Sequence, residues 1–360
     1  MHDKDKNTAS APAASSARAR PARVSLARVS PANRRTIALA ALAALVFGVV
    51  SCIDHKRHAS PPDGAAGAPF AEDFAASTNS IAGPRPRIIS LLPSVTETLY
   101  MLGLGGHLVA RSQYCDFPPV VTNLPAVGSL GSANIEAIAR LKPDFVLLPQ
   151  LDSQSKIHGA LAKLRINHIG IPANSLNDII QSVWDLAERF DAVPIPGAVD
   201  GLTPKANAAL WLERIDEVLA GAKASPPRRA PLVLFCAGRD PQSLDRIYIS
   251  GSGNFYEDLI IRCGGKNAYD GKLATPMLSA EGVIKANPDI IIDVLIKATK
   301  TDIDNAITQW GRLASVNAVR TGDIHILNEA WAARPGPRID LLAKTIAEYI
   351  REWDARQPQE

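Results

Sequence analysis

The chain has 360 residues, 46% of them hydrophobic and 21% charged, with a formal net charge of +3 and four cysteines. This length allows two domains of ordinary size, and the composition excludes a disordered chain, a collagen-like fibre and a disulfide-rich scaffold. The charge is unevenly distributed, because residues 1–51 carry a net +6, which against the total leaves −3 for residues 52–360. The basic character therefore belongs to the amino-terminal segment and does not indicate a nucleic-acid partner.

The amino-terminal segment has the pattern of an export signal. Arg34 and Arg35 precede an apolar run of 16 residues, shorter than the roughly 18–20 residues that a membrane-spanning helix needs. Residues 1–51 are therefore predicted to be a signal peptide of the lipoprotein type, and Cys52 is predicted to be lipidated because a small residue precedes it. An uncleaved signal anchor is the alternative. Residues 52–84, rich in Ala, Pro, Gly and Ser, are predicted to be a flexible tether to a folded part outside the cytoplasm.

Short apolar runs alternate with helical patterns from Arg87 onwards, and this alternation predicts parallel sheets with helices on their faces. Ser94 and Glu97 are expected to form a capping box at the start of the first helix. The predicted strands of the first half are 88–92, 108–110, 145–148 and 168–171, and its predicted helices are 134–141, 154–164 and 176–190. The predicted strands of the second half are 232–236, 247–250, 290–294 and 324–327, and its predicted helices are 255–263, 280–286, 302–310 and 340–353.

One segment of the first half recurs in the second. Residues 136–148 match residues 281–293, each with a glutamate first, a Pro-Asp pair in the middle and an apolar strand at the end. Each copy predicts a short helix that ends at Pro-Asp and leads directly into a buried strand. Pro-Asp before a strand is a common α/β turn, but the match over the whole segment favours a pair of similar halves.

A long helical pattern lies between the two halves. Residues 201–224 carry apolar residues near helical spacing, and Pro204 suits the first turn of a helix. Such a helix would be about 30 Å long, so we interpret it as a rigid strut between two lobes. The fold class expected is α/β, with two lobes, each a central mainly parallel sheet flanked by helices, and a ligand cleft between them. The expected boundaries are 85–195 for the N-terminal lobe, 196–226 for the connecting helix and 227–360 for the C-terminal lobe.

The chain has no HExxH, paired CxxC, Walker A or GxSxG motif. We therefore expect no cofactor and no enzyme activity. Two alternatives stay open: an extracytoplasmic hydrolase that uses Ser94 or Ser252, and a binding protein for free metal ions. Among Cys115, Cys236 and Cys263 at most one disulfide can form, and the pair Cys236–Cys263 is favoured because both lie in one lobe.

Several segments form a series whose order and spacing are specific. They are 87–97 (RIISLLPSVTE), 114–119 (YCDFPP), 134–136, 141–146, 249–251, 263–267, Trp331 and 337–339. Together they resemble the periplasmic substrate-binding proteins of ABC importers for cobalamin and iron–siderophore complexes, over about Arg87 to Trp353. The resemblance implies an extracytoplasmic protein that captures such a ligand in its cleft and delivers it to transmembrane permease subunits, held at the membrane by its lipid anchor.

The resemblance implies that Phe117 and Trp331 touch the ring system of the ligand. Other expected ligand contacts lie in loops that follow strands, where open α/β sheets bind their ligands, or at the ends of such strands. They are Tyr114, Ser129, Leu130, Tyr248, Ser252 and Arg334. Arg239 and Arg246 also lie in predicted loops and are further candidates for contact with an anionic chelate, although an exposed loop arginine is usually only solvated. Tryptophans that the family carries near Leu130 and Pro149 are absent here, which argues against a corrin-specific sandwich and leaves an iron–siderophore or haem-like chelate open.

The resemblance also implies that Glu136 is a docking contact for basic residues of the permease. The matching glutamate of the second lobe is expected two residues after Trp331, where this chain has Ala333. Glu329 is the candidate that would replace it, and asymmetric docking is the alternative.

Overall fold

The structure is a computed structural model that describes residues 85–150, 155–195 and 202–358. The predicted signal peptide, Cys52 and the tether lie outside the described residues. Within them the chain forms two sheets of alternating strands and helices, as the sequence pattern predicts.

The first lobe is built on a four-stranded sheet in which every strand pair is parallel. Its strands are β1 (Ile88–Ser90), β2 (Leu108–Arg111), β3 (Phe145–Pro149) and β4 (His168–Ile171), in the order β2-β1-β3-β4. Its helices are α1 (Pro93–Met101), α2 (Ile135–Arg140), α3 (Lys156–Lys163) and α4 (Leu176–Arg189). The strands are short and apolar because helices cover both faces of the sheet.

The second lobe is built on a sheet with the order β10-β9-β5-β6-β8, with β7 beside β5. Its strands are β5 (Leu232–Arg239), β6 (Ile247–Ile249), β7 (Lys266–Asn267), β8 (Met277–Leu278), β9 (Ile290–Val294) and β10 (Ile324–Leu327). Its helices are α6 (Phe255–Arg262), α7 (Ala280–Ala286), α8 (Lys300–Gly311), α9 (Asn317–Thr321) and α10 (Ile339–Ala355). Strands β10, β9, β5 and β7 run parallel, whereas β6 and β8 are antiparallel to their neighbours.

The connecting helix α5 runs from Pro204 to Ala224. Thr203 caps it by accepting a hydrogen bond from the Ala206 amide, and Pro204 occupies its first turn as predicted. The indole of Trp211 is buried and donates to the carbonyl oxygen of Pro337 at 2.6 Å. One apolar core continues from the first lobe through α4, α5 and α10 into the second lobe. The strut therefore packs against both lobes.

The repeated segment has the same hydrogen bonds in both lobes. The amide of Asp144 donates to the carbonyl oxygen of Arg87, and the Arg87 amide donates to the Asp144 carboxylate at 2.7 Å. Asp289 and Leu232 make the same two bonds in the second lobe, with 2.9 Å to the carboxylate. Each aspartate thus closes a ring between the starts of two neighbouring parallel strands.

The capping box predicted at Ser94 is wrong. With Ser94 as the cap the helix would begin at Val95, but it begins two residues earlier at Pro93, with Leu92 as the cap and no side-chain capping bond. Pro93 takes the first helical position because its missing N–H would have had no partner there. Ser94 therefore lies inside the first turn and Glu97 beyond it, and both are buried.

The predicted disulfide does not form, because Cys115, Cys236 and Cys263 are all free and buried. Cys236 belongs to the core on one face of the second sheet, and Cys263 belongs to the core on the other face. The sheet itself therefore separates these two sulfur atoms, although both lie in one lobe.

Candidate functional site

The loops that follow the strands of one sheet face the loops that follow the strands of the other. In the first lobe these are the start of α1, after β1, and residues 112–119, after β2. In the second lobe they are residues 295–299, after β9, and 328–338, after β10. Five charged side chains join the two sets, and we call them the interlobe ion cluster: Glu97, Asp116, Lys297, Arg334 and Arg338.

Glu97 is the most buried member of the interlobe ion cluster, with a side chain that is 2% exposed. It accepts hydrogen bonds from Arg334 Nη1 at 2.8 Å and from Arg338 Nε and Nη2 at 2.8 and 2.6 Å. Two guanidinium groups of the second lobe thus compensate one carboxylate of the first, as a buried charge requires. Sequence reasoning missed this role because it assigned Glu97 to a cap. The available signal was that Glu97 lies between two largely apolar segments, 88–92 and 99–104, where a buried charge needs a partner.

Asp116 lies nearer to solvent, and its side chain is 35% exposed. Arg334 Nη2 donates to its Oδ1 at 2.6 Å, and Lys297 Nζ lies 3.2 Å from its Oδ2. Desolvation acts to raise the pKa of Asp116, but the hydrogen bonds and positive charges of Arg334 and Lys297 outweigh it and lower that pKa below 3.8. Asp116 is therefore held as a carboxylate between two cations.

Phe117 and Arg334, two of the predicted ligand contacts, make contacts across this interface, and Trp331 lies in the turn that leads to Arg334. The guanidinium of Arg338 lies 4.0 Å from the centroid of the Phe117 ring, a cation–π contact between the lobes. The Arg334 amide donates to the carbonyl oxygen of Trp331 at the end of a 3-10 turn, 330–333. Both aromatic residues are half-buried. Tyr114 follows β2 in the same loop as Phe117, and it is 60% exposed.

The other predicted contacts lie around this interface without a hydrogen bond or ion pair to the interlobe ion cluster. Ser129 shares a hydrogen bond with Ser132 at 2.8 Å, in a loop that also contains Leu130 and abuts the loop of Tyr114. Tyr248 is half exposed and pairs with Met277 across β6 and β8.

Ser252 donates to Glu257 at 3.4 Å. The loop of Ser252 reaches the first lobe, because the Phe255 amide that follows it donates to the carbonyl oxygen of Asn174 at 2.7 Å.

The lobes are in close contact at Gly336. A Cβ atom at this position would lie 3.0 Å from Cβ of Ser94 and 3.1 Å from its Cα, tighter than ordinary carbon contacts. The neighbouring Pro335 helps to line a cavity of about 10 Å³ between α1 and α4. Ser94 is thus in contact with the backbone of the other lobe.

Arg239 was a further candidate for contact with an anionic ligand, and the structure contradicts that role. Its side chain is fully buried and forms an ion pair of 2.6 Å with Asp293, which also accepts from the indole of Trp310. Burial makes this guanidinium part of the second-lobe core.

The docking candidate Glu136 lies in the first turn of α2, and its side chain is 84% exposed and paired with Arg140 at 3.3 Å. Glu281 lies in the first turn of α7, the helix that corresponds to α2 in the repeat, and is also exposed. Glu329 is exposed in the loop after β10. The repeat therefore makes Glu281, and not Glu329, the positional counterpart of Glu136.

In residues 85–150, 155–195 and 202–358 no group of three or more His, Cys, Asp and Glu side chains could hold a metal ion. No helix in the described part of the chain is long and apolar enough to cross a membrane. Ser94 and Ser252 make no hydrogen bond to a histidine among the described residues, so neither belongs to a Ser–His pair there.

Comparison with known proteins gives a consistent result. The profile of the family described as "Periplasmic binding protein" matches residues 88–330. The vitamin B12-binding protein of Pectobacterium atrosepticum is 29% identical over 267 residues, which are 74% of this chain and 88% of that protein. The periplasmic vitamin B12-binding protein of Vibrio cholerae has a similar structure, with a TM-score of 0.61 and 25% identity over 76% of this chain and 99% of that one.

Two further solved structures are similar. A possible iron-binding periplasmic solute-binding protein of Staphylococcus epidermidis has a TM-score of 0.59 and 25% identity over 74% of this chain and 99% of that one. A periplasmic heme-binding protein of Roseiflexus shares the fold, with a TM-score of 0.61 and 21% identity over 75% of this chain and all of that one.

Proposed function

This chain belongs to the periplasmic binding protein family, and from that premise we propose that it captures cobalamin or a ferric chelate outside the cytoplasm and delivers it to an ABC permease. The observation that carries the proposal is the interface between the carboxyl edges of the two sheets, where Phe117 contacts Arg338 and Asp116 contacts Arg334, with Trp331 in the turn that leads to Arg334. Ligands of open α/β sheets bind at such edges. Relatives named for vitamin B12 and iron support these two classes of cargo.

Binding of cargo is tested by titrating the full chain with cyanocobalamin, a ferric hydroxamate siderophore and hemin while tryptophan fluorescence is recorded. One of the three is expected to quench the fluorescence saturably, because Trp331 lies at the interface and chelate rings absorb its emission. The variant Trp331→Ala should weaken that binding, and Trp184→Ala, a half-buried tryptophan on α4, serves as the control. If none of the three compounds binds the unmodified chain, the proposal is wrong.

Docking on the permease is proposed to use one exposed glutamate from each lobe, Glu136 and Glu281. Both lie in the first turn of corresponding helices, so the two carboxylates occupy equivalent places in the two lobes. Exposed acidic groups of this kind give orientation and association rate more than affinity. Glu329 is the competing second-lobe candidate.

If the docking proposal is right, substitutions at the docking glutamates affect cargo uptake and cargo affinity differently. Glu136→Gln and Glu281→Gln should each reduce cargo uptake by cells, and the double variant should reduce it further, while the affinity of the purified chain for cargo stays unchanged. Glu329→Gln is compared in the same assay. An uptake defect in Glu329→Gln and none in Glu281→Gln would transfer the role to Glu329, and loss of cargo affinity in Glu136→Gln would contradict docking.

Anchoring by lipid at Cys52 is proposed from the sequence alone, because Cys52 lies outside the described residues. Mass spectrometry of material purified from membranes should find Cys52 as the first residue with acyl chains attached. The variant Cys52→Ser should release the chain from membranes. Unmodified Cys52 preceded by residues 1–51 in the native material would contradict the proposal.

A further inference from the structure

Two cationic side chains of the second lobe bind the Asp116 carboxylate, as they would bind an anionic ligand. Each of its two oxygens has its own cationic donor, Arg334 Nη2 for Oδ1 at 2.6 Å and Lys297 Nζ for Oδ2 at 3.2 Å. Both donors come from loops at the carboxyl edge of the second sheet. Together they are spaced for the two oxygens of one carboxylate or phosphate group.

The two donors are positioned by contacts other than those with Asp116. Lys297 has a left-handed backbone, φ 59°, which costs energy for a residue with a Cβ. The side chain of Asn328 fixes this turn, because it accepts from the Ala298 amide at 2.8 Å and donates to the Ala298 carbonyl oxygen at 2.9 Å. Arg334 is fixed through its other nitrogen by Glu97. The guanidinium of Arg334 and the backbone that carries Lys297 would therefore keep their places if Asp116 moved away.

Of the two carboxylates in the interlobe ion cluster, only Asp116 is in a position to be exchanged. The Glu97 side chain is 2% exposed and bound to two arginines, whereas the Asp116 side chain is 35% exposed. Removal of the buried Glu97 carboxylate would leave two arginine charges uncompensated, whereas the partly exposed Asp116 carboxylate can move into water. Lys297 is itself exposed, so an incoming anion can reach it from solvent.

We propose that Lys297 and Arg334 form a receptor for an anionic group of the cargo, and that Asp116 occupies this receptor when no cargo is bound. The inference rests on the proposed function for the existence of a cargo, but the receptor itself follows from the contacts above. The group that it takes is a carboxylate or a phosphate, which replaces Asp116 without changing the number of paired charges. Asp116 thus competes with the cargo and disfavours molecules that lack such a group.

The first test uses inorganic phosphate as the probe and needs no cargo. Acetic anhydride modifies accessible lysines, and peptide mass spectrometry measures the extent at Lys297 and at Lys344, an exposed lysine of α10 that serves as the control. Phosphate at constant ionic strength should protect Lys297 and leave Lys344 unchanged. In Asp116→Asn the protection should appear at about tenfold lower phosphate, because the competing charge is gone. If phosphate protects Lys297 no better than Lys344 in both proteins, the receptor does not exist.

The second test uses cyanocobalamin, which carries a phosphodiester, and dicyanocobinamide, which lacks it. Lys297→Met should weaken cyanocobalamin binding about tenfold and leave dicyanocobinamide binding unchanged, with Lys344→Met as the control for both. Equal loss for the two corrinoids would overturn the receptor. If neither corrinoid binds the unmodified chain, the corrinoid branch of the proposed function fails, and the phosphate test alone decides for or against the receptor.

Discussion

Glu97 shows what one residue contributes at the boundary between the lobes. Its carboxylate belongs to the first lobe, and its hydrogen-bond donors, Arg334 and Arg338, belong to the second. A carboxylate buried to this degree loses its hydration, and the hydrogen bonds and positive charges of these donors compensate for that loss. The residue therefore makes the folding of one lobe depend on the presence of the other.

We expect Glu97→Gln to lower the free energy of unfolding by about 3 kcal/mol, because it leaves two guanidinium groups partly buried with less compensating charge. Urea denaturation followed by circular dichroism measures the change. Glu136→Gln is the matched control, since that side chain is exposed and its single ion pair is solvated. Equal stabilities of the two variants would show that the buried pairs contribute nothing specific.

Asp116 gives a prediction about pH. Its pKa is lowered in the folded chain, so its ion pairs stabilise the fold at pH values above 3.8 and lose that effect as the pH falls through the lowered pKa. The stability difference between the unmodified chain and Asp116→Asn should therefore be constant near neutral pH and shrink below pH 3.8. Denaturation curves across this range measure it. A difference that grows on acidification would mean that the pKa is raised.

At the scale of single elements, the side chain of Trp211 joins helix α5 to the second lobe. The Trp211 indole is almost fully buried and donates to the Pro337 carbonyl oxygen, between the two arginines of the interlobe ion cluster. The strut thus supports the backbone that carries Arg334 and Arg338. The placement of the arginines depends on the helix as well as on Glu97.

Trp211→Phe should lower the free energy of unfolding by about 2 kcal/mol, because the Pro337 carbonyl loses its donor in a buried place. It should also weaken cargo binding, since the segment 334–338 is less firmly placed. Trp184→Phe on α4 is the control for the loss of an indole. Thermal unfolding and the fluorescence titration measure both effects, and an unchanged Tm would exclude a structural role for this hydrogen bond.

For the whole molecule, the contact of Gly336 with Ser94 sets how closely the lobes approach. This contact lies beside the buried ion pairs of Glu97, whereas Asp116 and Lys297 lie further out and nearer to solvent. The interface is therefore more deeply buried next to the residues that α5 supports and more exposed at its outer side.

Gly336→Ala should move the lobes apart by a few tenths of an ångström and lower the free energy of unfolding by about 1–3 kcal/mol, because the new Cβ meets the Ser94 backbone. Gly221→Ala, in an open position of α5, should instead stabilise the chain by up to about 1 kcal/mol. Urea denaturation compares the two. A neutral Gly336→Ala would show that the lobes are free to shift at this point.

The sequence was enough to predict those parts of the fold that depend on local pattern. The bounds of β9, β10 and α7 agree with the predicted ones, and the repeat reappears in the paired hydrogen bonds of Asp144 and Asp289. What could not be predicted depends on residues far apart in the chain. Glu97 and Arg334 are separated by 237 positions, so no periodicity relates them, and the antiparallel direction of β6 follows from pairing rather than from its own residues.

The same limit applies to the candidate site. Phe117 and Arg334 make contacts across the interface and Trp331 precedes Arg334 in the same turn, while their role as ligand contacts stays a prediction. Arg239 was expected in a loop but is the last residue of β5 and is fully buried, because Asp293 on the neighbouring strand offers it a partner. Single residues in loops can be proposed from sequence, but which of them share a partner is decided by tertiary packing.

The three free thiols allow the opening of this molecule to be timed. Burial raises the pKa of Cys263 to about 12 and raises that of Cys236 as well, so neither reacts with an alkylating reagent until its surroundings open. Cys115 lies in the interface loop, while Cys236 and Cys263 lie on opposite faces of the second sheet. Their alkylation rates, measured by peptide mass spectrometry, therefore report on the opening of three different places. Separation of the lobes should raise the alkylation rate of Cys115 alone, and global unfolding should raise all three rates together.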